Sequence, residues 1–310
     1  MRRNPDYWAN DLPFRRGTQN FDELRIEFYG DQTVLFEAFK AGELTALREF
    51  NVEKWNSQYD FPAVLSGKVV KSEIPHLKPS GMTGFVMNTR DALFQDWRVR
   101  EALLLAFNFE YINETMTGSR QPRITSYFSN SDLAMSAGPA EGRVRELLEP
   151  FADDLLPGAL EGYALPEGDG SARNRRNIRK AMGLMEEAGW EVGDDGMLAK
   201  DGKTFDLEFL SSNAGFDRVI LPYIDNLKAL GVNAKYNRVD PAQYQQRSNN
   251  FDYDVVFDGY SVGLEEGLGL DQKFGAGGVN DVFNPAGYSS PAVDKLIEVA
   301  VDAKSYDEMA

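Results

Sequence analysis

Three aspartates, Asp252, Asp254 and Asp258, are spaced like oxygen ligands for a hard cation. A calcium loop needs glycine punctuation among its ligands, and none surrounds these three. Strand alternation would put Asp252 and Asp254 on one face, so solvated or capping carboxylates are the better reading. Glu265-Glu266 offers a pair of carboxylates of the kind used in glycoside hydrolysis, but adjacent residues on a loop are poorly placed to flank one bond. His76 is the only histidine. A Ser-His-Asp triad would have to use it, and it lies between Pro75 and Pro79 in what reads as a connecting segment. The absence of cysteine removes disulfides, thiol catalysis and thiolate-held metals, and one histidine cannot build a zinc site of the HExxH kind. Gly267-Leu-Gly269 and Gly275-Ala-Gly277-Gly278 match neither a dinucleotide-binding nor a Walker pattern and read as flexible loop. Tyr260 follows a short apolar run. It offers a large apolar face with a polar tip, turned either toward a ligand or under the loop that follows.

These residues depend on a set of elements whose periodicity is plain. Asp96 can cap a helix in which Val99, Ala102, Leu103 and Ala106 form one apolar face, with a break near Asn108. Further on, Ile178, Ala181, Met182 and Met185 trace a second stripe ending at Gly189. Two Asp-Gly turns, at 195–196 and 201–202, frame a small meander that leads to a strand over 205–210. A helix over 217–230 stops at Gly231. A strand over 232–239 follows, then a short helix from Pro241, a buried strand over 253–257, a glycine-rich loop region over 258–290 and a last helix from Pro291. Near the start, alternation predicts a strand over 24–29, then a helix capped by Asp31 and stopped by Gly42, then a strand over 44–50. A further strand is expected near 69–74. Helix and strand alternate in the second region, so an α/β architecture with a mixed or parallel sheet is expected, with a domain boundary near residue 79.

Composition narrows the function. A chain of 310 residues at 42% hydrophobic and 26% charged can form a sizeable core. Its net charge of −16 argues against nucleic-acid partners and against a polybasic membrane anchor. No apolar run is long enough to span a bilayer, and the first residues do not read as a signal peptide.

Several stretches, in order, resemble the peptide-type solute-binding proteins of ABC importers. They are Asn4-Pro-Asp-Tyr-Trp8, Glu37-Ala-Phe-Lys-Ala-Gly-Glu43, Phe85-Val-Met-Asn88, Leu184-Met-Glu-Glu-Ala-Gly-Trp190, Phe251-Asp-Tyr-Asp before Gly259-Tyr260, and Tyr288-Ser-Ser-Pro-Ala-Val-Asp-Lys-Leu-Ile297. The string Phe94-x-Asp96-x-Arg98-Val99-Arg100-x-Ala102 is similar to the family's signature helix. Asn88-Thr-Arg90 and the 126–133 and 239–247 segments resemble the oligopeptide and microcin C-type branch. The resemblance implies a two-lobe periplasmic binding protein-like fold (type II, cluster C), present here as a partial chain. Residues 1–78 would belong to the first lobe and 79–310 to most of the second. It implies a monomeric, non-catalytic, periplasmic protein without cofactor or metal, exported in a longer precursor. That protein would enclose a small peptide or peptide-like ligand between its lobes and hand it to ABC permease subunits. Carboxylate-based hydrolysis and an interaction module without ligand are the alternatives. Relatives hold the ligand's α-amino group with an Asp three residues after their Gly-Trp pair; here that position is Gly263. The expected ligand-binding residues are therefore Tyr260, Asp258, Glu265 and Glu266, with the two glutamates replacing the missing anchor.

Overall fold

The computed structural model describes residues 1–264, 267 and 269–310. Glu265, Glu266 and Leu268 lie outside the described residues. The chain divides into two compact units, Met1–Glu73 and Ile74–Ala310.

In the first unit, α1 (Gln32–Lys40), α2 (Val52–Ser57) and α3 (Pro62–Leu65) gather around Phe36, Phe39 and Tyr59. Asp31 caps α1 as expected, its carboxylate accepting from the N–H groups of Thr33 and Val34. The strands expected over 24–29, 44–50 and 69–74 do not form. Alternation specifies which side chains share a face, but a ladder also needs a partner, and the described residues of this unit supply only one isolated bridge, Arg2 to Glu23. Leu24, Ile26 and Phe28 are accordingly exposed, Phe28 at 92%. Amides of 24–29 and 44–50 should exchange with deuterium faster than those of the sheet in the second unit, by on the order of 100-fold. Equal protection would mean that these segments are ladder-bonded after all.

In the second unit the order is β1 (Met82–Met87), α4 (Trp97–Ala106), α5 (Phe109–Thr117), α6 (Gly142–Leu148), α7 (Arg175–Glu187), β2 (Glu191–Val192), β3 (Leu198–Lys200), β4 (Lys203–Thr204), β5 (Asp206–Ser211), α8 (Asp217–Leu230), β6 (Asn233–Arg238), α9 (Pro241–Asn249), β7 (Val255–Tyr260), α10 (Gly269–Phe274), α11 (Pro291–Asp302) and α12 (Tyr306–Met309). The main sheet runs β1-β7-β5-β6. Its β1/β7 pair is antiparallel and the other two pairs are parallel, so it is a mixed sheet. The region expected to be loop over 258–290 is more ordered than its glycines suggested: β7 continues to Tyr260, and α10 follows. The two Asp-Gly turns do frame a meander, β2-β3-β4.

The helix α4 occupies the centre. Val99, Ala102, Leu103 and Ala106 are all buried, against α7, α8 and the sheet. Burying a leucine such as Leu103 contributes roughly 1.5–3 kcal/mol. Its last turn leaves carbonyls that a buried helix end cannot give to water. Neighbours take them up: Tyr223 Oη donates to Leu103 O at 2.8 Å, Asn174 Nδ2 to Leu105 O at 3.1 Å, and Asn226 Nδ2 to Ala106 O at 3.1 Å. The side-chain donors of these polar residues of α8 and of the start of α7 are thereby satisfied, while Asn174 Oδ1 is buried without a partner among the described residues. They fix how α7 and α8 lie on α4, and hence where the sheet sits.

Candidate functional site

The exit of β7 is where backbone, carboxylate and aromatic groups converge. Asn88 N donates to Asp254 O at 2.9 Å. Carrying that two-residue alternation along the β1/β7 register makes Gly84/Asp258 and Met82/Tyr260 the hydrogen-bonded pairs. The backbone groups of Phe257 and Gly259 therefore face away from β1. On that side β5 pairs with β7 only at Val255 and Val256; the Leu210/Val256 bridge uses the Phe257 N–H, and the ladder stops short of Gly259. Tyr244 Oη donates to Phe257 O at 3.0 Å. The remainder opens on a groove of about 450 Å³, lined by residues 257–261 with Ser80 and Thr83 beside β1.

Asp258 lies half-buried in this groove. Desolvation pushes its carboxyl pKa up, and the hydrogen bond it accepts from Gly259 N at 2.7 Å pulls the other way. Asp252 and Asp254 do not join it. Asp252 pairs with Arg247 at 3.1 Å, and Asp254 Oδ2 accepts from Glu208 N at 2.8 Å. Among the described residues, no three acidic or imidazole groups come together as a metal site.

Tyr260 borders the groove but is only 8% exposed. Its ring stacks on Phe274 at 5.3 Å and meets Tyr127 edge-on at 5.4 Å. Its hydroxyl donates to Asn284 Oδ1 at 3.0 Å and accepts from Ala286 N at 3.2 Å. Burial raises its phenol pKa well above the usual range. The ring is thus packed against Tyr127 and Phe274, and what it offers the groove is a fixed wall. Glu265 and Glu266, the other expected contacts, fall outside the described residues.

Sequence reasoning missed the parts that hold this wall in place. Arg90 sends its side-chain N–H groups to Val279 O, Asn284 O, Pro285 O and Asn88 Oδ1, and its guanidinium lies 3.7 Å from the centre of the Phe251 ring. Thr89 adds two bonds to Ala286 O. Gly81 lets β1 approach β7: its φ is +66°, and a Cβ there would stand 2.3 Å from Tyr260 O. The Asn88-Thr-Arg90 run was the available signal, since Asn and Arg directly after a strand suggest a backbone clamp.

The family profile for the middle region of the bacterial extracellular solute-binding proteins, family 5, matches residues 1–270. The chain belongs to this family. It is 38% identical over 312 residues to the probable peptide-binding protein YejA of Agrobacterium fabrum, covering 99% of this chain and 51% of that protein. It is 34% identical over 316 residues to the peptidoglycan-binding protein YepA of the same organism, covering 99% and 51%. The chain spans about half the length of the curated relatives it matches. Its fold is shared with the oligopeptide-binding protein AppA from Bacillus subtilis, solved in complex with a nonapeptide. There the TM-score is 0.62 and the identity 19%, over 91% of this chain and 49% of that one. The α/β, periplasmic binding protein-like class expected from the sequence is thus the class of this family, present here as a partial chain.

Proposed function

We propose that this chain is part of the substrate-binding component of an ABC importer. It captures a peptide or peptide-like solute outside the cytoplasmic membrane and delivers it to permease subunits. Residues 1–78 are part of one lobe and 79–310 most of the other. The observation that carries the reading is the end of the β5/β7 ladder, beyond which the Gly259 carbonyl points away from β1 without a β5 partner, beside a groove. A peptide lying extended in the groove can donate a main-chain N–H to that carbonyl. The names of the two Agrobacterium relatives add support for peptides, including those derived from peptidoglycan. Tyr260 forms a rigid side of the site, Asp258 contributes a carboxylate, and Glu265 and Glu266, which follow in the sequence, supply the ligand's anchor. The protein performs no covalent chemistry and works without cofactor or metal, as a monomer in the periplasm.

Calorimetry on the full-length protein with tetra-alanine and with a peptidoglycan-derived tripeptide tests this reading. Saturable binding of either peptide, with no cleavage of it by mass spectrometry, is the expected result. Cleavage would establish the hydrolase alternative, and failure of both peptides to bind would overturn the peptide class.

A further inference from the structure

Asp258 Oδ1 takes the Gly259 N–H, while Oδ2 accepts no hydrogen bond from a described residue. No lysine, arginine or histidine stands among the described residues lining the groove. The residue across the ladder from Asp258 is Gly84, and a Cβ built there meets nothing within 4 Å. In an antiparallel hydrogen-bonded pair the two side chains stand on the same face, so the missing side chain leaves room beside the carboxylate. Next to it, Ser80, Thr83 and Ser261 supply hydroxyls but no charge.

We propose that Asp258 selects ligands carrying an ammonium or guanidinium group next to the backbone segment that lies along Gly259. The proposal rests on the peptide-binding reading and names the chemical class of ligand it takes. A partly desolvated carboxylate without a cation of its own gains from any cation brought to it, and a matched charge at such a position discriminates more strongly than one on an exposed rim. Desolvation by burial raises the Asp258 pKa, against the lowering effect of the Gly259 N–H. The position is distinct from that of Gly263, where relatives place their anchoring acid, and it lies on the strand itself.

The test uses the full-length protein and three probes: tetra-alanine, N-acetyl-tetra-alanine, and N-acetyl-Ala-Lys-Ala-Ala. The wild type is expected to bind the first, the third, or both at least tenfold more tightly than the second. Preference for tetra-alanine identifies an α-amine as the recognised group, and preference for the lysine peptide identifies a side-chain cation. Asp258→Asn, whose amide oxygen can still accept from Gly259 N, is expected to reduce the preference to less than threefold. Asp258→Glu keeps the charge and is expected to retain a preference. The inference is overturned if the wild type binds all three probes alike, or if Asp258→Asn, with a melting curve like that of the wild type, keeps the full preference. In either of those cases the peptide-binding reading survives, because the probes still bind. If none of the three binds the wild type, both fall together.

Discussion

Replacing Gly81 with alanine is expected to destabilise the Ile74–Ala310 unit by roughly 2–5 kcal/mol, seen as a lower denaturant midpoint at unchanged slope. Two costs combine. The backbone at Gly81 has φ +66°, a conformation that costs an L-residue roughly 1–2 kcal/mol. The new Cβ would also lie 2.3 Å from Tyr260 O, a backbone atom that no rotamer change can move. Relieving that contact means displacing β1 from β7 at the Met82/Tyr260 pair, an overpacking cost of about 1–3 kcal/mol. Gly84→Ala is the matched control. It sits in the same strand with an ordinary φ and nothing within 4 Å of its Cβ, so a change within about 0.5 kcal/mol is expected. Equal effects from the two substitutions would sink the argument. Because Ser80 and residues 257–261 line the groove, Gly81→Ala is also expected to weaken peptide binding beyond its effect on stability.

How far the fold was legible depended on what kind of signal each element carries. The helices were readable because their information is local. Asp96 accepts from Arg98 N, Asp240 from Ala242 and Gln243 N, and Ser290 Oγ from Val293 N, each at the start of a helix. The strands of the second unit were readable because their apolar runs fill the middle of a sheet, as at Val255 and Val256. The strands expected in the first unit failed for the complementary reason. Alternation in 24–29 describes a surface that would suit a sheet, but pairing is non-local, and no single segment states whether a neighbour is present.

The site was legible in outline and not in its supports. Asp258 and Tyr260 stand out in the sequence because their types are unusual beside a buried strand, and both border the groove. Their roles depend on tertiary facts: β5 ends early, Gly84 stands opposite the carboxylate, and Asn284 takes the phenol hydroxyl. Arg90 lies 189 residues from its partner Val279, a separation over which periodicity carries no information.

Arg90 underlies the second large effect: Arg90→Ala is expected to cost roughly 2–4 kcal/mol and to loosen residues 279–286. Five N–H bonds from the side chain go to Val279 O (twice), Asn284 O, Pro285 O and Asn88 Oδ1, which uses all the donors a guanidinium has. Summed at the value for charged donors they would exceed this figure. Two things reduce it: the carbonyls freed in the loop can take up water, and burial of the guanidinium already carries a desolvation cost, seen in its lowered pKa. Stacking on Phe251 at 3.7 Å adds about 0.5–2 kcal/mol. Arg90→Lys should recover less than half, since an ammonium with three donors cannot span these acceptors. The consequence reaches the groove through Tyr260. Its hydroxyl is held by Asn284 Oδ1 and Ala286 N, both on the segment that Arg90 and Thr89 pin down. Once that segment is released, the ring of Tyr260 loses its fixed hydrogen bonds and keeps only its contacts with Phe274 and Tyr127. Hydrogen exchange should therefore rise at 279–286 and at Tyr260 together, with β5 and α8 unchanged. A variant within about 0.5 kcal/mol of the wild type and with unaltered exchange at 279–286 would mean that the loop is held by Thr89 and Asn284 without the arginine.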